Sequence, residues 1–166
     1  MDATFLSGFE MVTAAIVIDL DRAREVVSQV VDPEIPVLTI AELGILRDVV
    51  VEEGTVLVTI TPTYSGCPAM SQIEDDIRSR LTVAGFDRVL LKTTHAPAWT
   101  TDWISPEAVA KLAAFGIAPP TPETEVVCPR CAAATPRIVS IFGSTACKAL
   151  MVCARCGEPF DWFKDF

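Results

Sequence analysis

Val58–Met70 reads VTITPTYSGCPAM, and the turn near its centre decides how the chain around it is arranged. Val58 and Ile60 alternate with Thr59 and Thr61, which is the period of a half-buried strand. Ser65-Gly66-Cys67-Pro68 breaks that alternation. Met70, Ile73, Ile77 and Leu81 then recur at helical spacing. A strand entering a helix through this turn puts Cys67 at or beside a helix N-terminus. There, unpaired N–H groups and the helix dipole favour a thiolate over a thiol.

Working outward, Thr55–Thr61 reads as the second strand of a hairpin whose first strand is Leu43–Val51, joined by Glu52-Glu53-Gly54. Upstream, Asp19 or Asp21 can cap a helix with Ala23, Val26, Val27 and Val30 on one apolar face, stopped before Asp32-Pro33. Downstream, the helix after Cys67 offers Glu74–Arg78 and Asp76–Arg80 as ion pairs on its wet side, and Gly85 ends it. Phe86–Thr94 is a third strand. Trp99–Trp103 is irregular and aromatic. Ser105-Pro106 starts a short helix that Gly116 stops. The order α-β-β-α-β-α predicts an α+β fold, a small mixed β-sheet with helices on one side.

Of 166 residues, 51% are hydrophobic and 21% charged, which supports a real core and excludes wholesale disorder. The net charge of −9 is uneven. From Thr124 onward five basic residues face four acidic ones, so the first 123 residues carry 8 basic and 18 acidic. Neither part has the basic patch that a nucleic acid would need. No apolar run approaches the roughly 20 residues of a membrane span. Met11–Ile18 is short and follows acidic residues, unlike a signal peptide, so the cytoplasm is the expected compartment.

Five of the six cysteines lie in the tail. Cys128-Pro-Arg-Cys131 and Cys153-Ala-Arg-Cys156 are two C-x-x-C pairs able to converge on one tetrahedral ion, with short strands expected at Ile138–Phe142 and Ala149–Val152. Two disulfides or a redox motif are the competing readings, and a reducing compartment disfavours the former. Four thiolates leave no open position, so the expected role is structural, with Zn2+ as occupant and iron chemically permitted. The fifth, Cys147, reads either as a buried small hydrophobe or, with Lys148, as a contact patch for a partner.

Cys67 is surrounded in sequence by Thr59, Thr61, Thr63, Tyr64 and Ser65, and the loop holding Asp32 and Glu34 can fold back over it. Such a thiol can act as a nucleophile, hold a soft metal or a cluster transiently, or simply cap the helix. The single histidine, His95, is distant in sequence, and there is no phosphate-binding glycine loop. No catalytic residue set is present. The pattern is that of a carrier or binding protein.

VDPEIPVLTIAELGIL at 31–46 followed by TITPTYSGCP at 59–68 resembles the SufT-like iron–sulfur assembly domain. Together with FGSTACK at 142–148 and CGEPFDWFK at 156–164, the whole resembles the PaaD family, the D components of phenylacetyl-CoA epoxidase systems. The resemblance implies an assembly domain over 19–118 behind an N-terminal extension (1–18), a Pro-rich linker at 119–124, and a zinc-ribbon module at 125–166. It implies a non-catalytic accessory of a multicomponent monooxygenase in aerobic phenylacetate degradation, assisting maturation of iron–sulfur or iron centres. Its implied partners are the oxygenase and iron–sulfur flavoprotein reductase subunits, with homodimer formation left open. The positions it points to are Asp32, Glu34, Thr61 and Cys67, besides the four ribbon cysteines. The alternative is a structural component bridging the parts of the oxygenase through exposed aromatics at Trp99–Trp103 and Phe160–Phe166.

Overall fold

In a computed structural model the described residues are 20–134 and 136–166; the N-terminal extension, the Met11–Ile18 run and the Asp19 cap lie outside them. The first helix, α1, covers residues 20–28, with Ala23, Val27 and Val30 essentially unexposed at its inner face and just beyond its end. Strands β1 (Leu46–Glu52) and β2 (Thr55–Ile60) pair antiparallel, and β3 (Val89–Thr93) joins β2 in parallel after α2 (Ala69–Val83). The sheet is therefore mixed, in the order β1-β2-β3. Val56, Val58 and Ile60 on one face of β2 are fully buried, in one cluster with Ile73, Ile77 and Leu81 of α2 and with Ala108 and Leu112 of α3 (Pro106–Phe115).

Local chemistry sets the boundaries. The Ser105 side chain accepts from Ala108 N–H at 3.1 Å, Pro106 opens α3, and Gly116 closes it at φ 89°. A cap of this kind contributes about 1 kcal/mol. The first strand begins at Leu46, three residues later than expected, because Gly44 turns the chain at φ 68°. A Cβ on Gly44 would meet the Trp103 Cβ at 2.5 Å and its carbonyl oxygen at 2.8 Å, so only glycine fits. Pro68 is the cap of α2, which makes Ala69 the first buried residue and leaves Met70 half-buried. Neither expected ion pair on α2 forms. Glu74 accepts from Thr93 Oγ1 and Asp76 from the Gln72 amide, as solvated charges with little to gain from pairing can do.

The tail forms a second sheet, β4 (Pro136–Ser140), β5 (Lys148–Cys153) and β6 (Pro159–Phe163), antiparallel throughout. Of these, β6 is not among the strands expected from the residue pattern. It docks onto the first domain: Phe163 is 1% exposed and belongs to that domain's core. Ala118 N–H donates to Asp161 O at 2.8 Å and Phe163 N–H to Ala118 O at 2.9 Å. Trp99 is buried against Phe163 and Phe166, with ring centroids 6.0 and 6.2 Å apart, and its Nε1–H donates to Leu43 O at 2.9 Å. Trp103 is half-buried under the Arg47 guanidinium, 3.6 Å from its ring. Phe160, Trp162 and Phe163 are buried as well. Of the aromatics expected to be exposed for bridging, Trp99 and Phe163 thus pack at the joint between the chain's own two domains, while Phe160 and Trp162 belong to the ribbon's own core; Phe166 alone of them stays open, 48% exposed.

Trp99→Ala should cost about 3–5 kcal/mol, the range for emptying a large buried aromatic site. Urea unfolding of the variant is expected to show that loss. A change below about 1 kcal/mol, the middle of the range for ordinary substitutions, would mean that Trp99 does not hold the joint.

Candidate functional site

Each C-x-x-C segment of the tail forms a tight knuckle. Ala132 N–H donates to Cys128 O at 2.8 Å and Gly157 N–H to Cys153 O at 2.9 Å. The residue after the second cysteine takes the left-handed conformation in both, Ala132 at φ 56° and Gly157 at φ 76°. The four sulfurs lie within 4.8 Å of one another. Cys128 Sγ is 3.8 Å from Cys156 Sγ, and Cys131 Sγ is 3.6 Å from Cys153 Sγ. These separations are far beyond the roughly 2.05 Å of a disulfide. They match the edge of a tetrahedron with metal–sulfur bonds of about 2.3 Å, close to 3.8 Å. The residues present therefore fit a tetrahedral metal ion. N–H groups of Cys156 and Arg155 bring the Cys153 thiol down to about 6. Four thiolates around one ion would make a closed site, with no position left for a substrate.

The second site lies where α1 hands over to the sheet. Asp32 is 6% exposed, and its Oδ1 accepts from Glu34 N–H at 2.8 Å and Ile35 N–H at 2.9 Å, which folds the loop back. That loop brings Asp32 and Glu34 close enough to Cys67 for their charges to act on its sulfur. Cys67 is half-buried, and the N–H groups of Ala69 and Met70 at the start of α2 point to its sulfur. These N–H groups favour a thiolate, but burial and the two carboxylates outweigh them and push the thiol above its ordinary range. The expected ready-made thiolate is thus corrected to a protonated thiol. A cation arriving at Cys67 would have to displace that proton.

Thr61 is 1% exposed and its Oγ1 has no hydrogen-bond partner. It lines a cavity of about 110 Å³ together with Tyr64, Ser65, His95 and Trp99. An orphaned buried hydroxyl is costly, by about 1–3 kcal/mol, and is the kind of atom that a bound group can satisfy.

Cys147 and Lys148 are only 7% and 3% exposed. Cys147 is indeed buried, but it lies in the core of the first domain, not in a strand of its own. The partner patch read from this pair is corrected to a contact within the chain. Burial pushes the Cys147 thiol up, against the Thr145 hydroxyl and the Lys148 charge, which favour ionisation. Lys148 Nζ lies 3.5 Å from Asp161 Oδ2, and its charge is also felt by Asp32. Burial outweighs these contacts at Asp32, whose carboxyl is raised. Burial pushes the Tyr64 hydroxyl up, and the charges of Cys67 and Cys147 act in the same direction. Periodicity could not reveal that the loop holding Cys147 packs into the core of the first domain, although Cys147 beside Lys148 stood out in the sequence as a candidate contact patch.

Asp32→Asn keeps an oxygen for the Glu34 and Ile35 N–H groups and removes one of the two charges that, after burial, push the Cys67 thiol up. The Cys67 pKa then falls, the thiolate fraction at pH 7–8 rises, and iodoacetamide labelling of Cys67 should speed up severalfold. Peptide mass spectrometry of the metal-loaded protein checks this; an unchanged or slower rate contradicts it.

Comparison with known proteins agrees with this division. The PaaD zinc beta ribbon domain matches residues 116–164, and the iron–sulfur cluster assembly protein family matches residues 20–90. The D component of the putative 1,2-phenylacetyl-CoA epoxidase of Escherichia coli (strain K12) is 50% identical over 145 residues, covering 82% of this chain and 87% of that protein. The chain belongs to the PaaD family. A second relative matches over a shorter stretch. That relative, an Fe-S protein maturation auxiliary factor of Porphyromonas gingivalis (strain ATCC BAA-308 / W83), is 40% identical over 85 residues, covering 50% of this chain and 80% of that protein. Among solved structures, a domain of unknown function (DUF59) from Bacillus anthracis superposes with a TM-score of 0.55 at 25% identity, covering 60% of this chain and 96% of that one. No helix among the described residues is long and apolar enough to cross a membrane.

Proposed function

We propose that this PaaD-family chain is a non-catalytic, cytoplasmic accessory of a phenylacetyl-CoA epoxidase system that helps to mature the iron–sulfur or iron centres of its partners, the reductase and the oxygenase. Zn2+ in the ribbon is structural, while iron at Cys67 is cargo. The observation that carries this reading is Cys67 itself: a half-buried thiol at the start of α2, within the influence of the Asp32 and Glu34 carboxylates. Such a thiol is a poor nucleophile at neutral pH yet a usable ligand once a cation displaces its proton. The similarity to an Fe-S protein maturation auxiliary factor, together with the match of residues 20–90 to the iron–sulfur cluster assembly family, supports the same direction.

The bridging alternative has less to rest on, because all the aromatics invoked for it except Phe166 are buried or half-buried within the chain. The two readings differ in one experiment. Oxygenase and reductase purified from cells that contain this chain should turn over without it once mature. The same proteins from cells lacking it should be deficient in their metal centres, and adding the purified chain during the assay alone should not restore them. Turnover that requires stoichiometric amounts of this chain during the assay would favour bridging and overturn the accessory role.

A further inference from the structure

The sheet of the first domain packs its helices on one face. Val56, Val58 and Ile60 share a buried cluster with α2 and α3, and Thr93 of β3 bonds to Glu74 of α2 on that side. The residues between them point the other way, as alternation along a strand requires. On that outer face the register sets Val50, Leu57 and Leu90 side by side across all three strands. Leu90 is 60% exposed, Val50 and Leu57 are partly exposed, and none of the three belongs to either core cluster. A sheet face turned to water ordinarily carries polar side chains, so an apolar row through its middle marks a contact surface. A depression of about 580 Å³, lined by Glu52, Glu53, Thr55, Leu57 and Leu90, lies beside it.

Charge is sorted by strand around this row. To one side stand Asp48 of β1, Thr59 of β2 and Lys92 of β3. To the other stand Glu52 of β1, Thr55 of β2 and, one residue before β3, Arg88, whose guanidinium donates to Glu53 O at 3.2 Å. All four charged residues are exposed. Arg47, the one cation of β1, is stacked on Trp103 instead. The outer face is therefore acidic along β1 and basic along β3, with the apolar row crossing both.

We propose that this face pairs with the same face of a second copy of the chain, about a two-fold axis running parallel to β2. Sheets packed face to face keep their strands roughly aligned, which allows a two-fold axis either along the strands or across them. The charges select between the two. An axis along β2 lays β1 of one copy over β3 of the other. Asp48 then meets Lys92 of the second copy, Glu52 meets Arg88, Val50 meets Leu90, and Leu57 meets its own counterpart. An axis across the strands lays each strand over itself and brings Asp48 to Glu52 and Lys92 to Arg88, like charge on like, which disfavours it. The face is small. Three strands about 4.8 Å apart, up to seven residues long at about 3.3 Å each, give a patch of roughly 15 by 23 Å. That is well below the about 800 Å² per partner of a standard interface, so the pair belongs with the weak, reversible ones. Cys67 packs against the helix side of the sheet and stays open in such a pair.

The test is sedimentation of the full-length, zinc-loaded protein across roughly 10 μM to 1 mM, the affinity range of so small an interface. The wild type should pass from monomer to dimer within that range, and added salt should move the transition to higher concentration. Leu90→Asp, at an exposed position, should keep its zinc and its melting curve and weaken pairing about tenfold or more, as burying an unpaired charge does. Lys92→Glu sets a carboxylate over Asp48 of the second copy and should weaken pairing, and so should Asp48→Lys. Combining Asp48→Lys with Lys92→Glu restores opposite charges across the axis and should recover pairing. About the rejected axis, Asp48→Lys would strengthen it instead. A wild type that stays monomeric throughout, whether the face is bare or another part of the chain lies on it, overturns the proposal. So does a dimer that Leu90→Asp leaves intact, or a double variant that pairs no better than the single ones.

Discussion

Removing the ribbon's metal with a chelator is expected to unfold residues 125–166 and to loosen the assembly domain as well. Binding of structural zinc to a four-ligand module contributes about 10–16 kcal/mol at neutral pH, and in so small a module that energy is the folding energy. The second consequence is particular to this chain. Phe163 and Cys147 are members of the first domain's core, and Trp99 packs on Phe163 and Phe166. Loss of the ribbon would uncover Trp99 and leave a cavity beside Leu43 and the start of β1. Intrinsic tryptophan fluorescence should shift to the red on chelation, and trypsin should cut at Arg137, Lys148 and Arg155, with both effects reversed by added zinc. Cys153→Ser should behave as the chelated protein does. Fluorescence and cleavage unchanged after the zinc has been removed would mean that the ribbon folds without its metal.

Much of this arrangement was legible in the residues because local physics decides it. The alternation in β2, the Ser105-Pro106 start and Gly116 stop of α3, and the two C-x-x-C knuckles each concern neighbours within a few positions. Boundaries shifted where a tertiary contact intervened: Gly44 turns under Trp103 and delays β1, and Pro68 as cap makes Ala69 the buried residue. The site was legible as residue types but not as an arrangement. The helix start predicts a thiolate at Cys67; the structure adds burial and two carboxylates, and their sum reverses the sign. The position of Cys147 depends on how β6 docks through Ala118, a pairing that no periodicity encodes.

The second large effect is at Cys67. Cys67→Ser changes one half-buried atom and should leave the melting curve almost unmoved, since substitutions away from the tight core usually cost little. In cells it should nevertheless cut epoxidase activity about tenfold or more, because a hydroxyl is a poor ligand for iron held by sulfur. Uptake of iron by the wild type should also weaken as pH falls, since a thiol held above its ordinary range must lose its proton to bind. The most direct measurement is the iron and acid-labile sulfide content of the partner reductase, purified from cells that make either the wild-type chain or Cys67→Ser in equal amounts. The account predicts a full cluster complement with the wild type and a severalfold deficit with the variant. Equal iron and sulfide in the two preparations would contradict it.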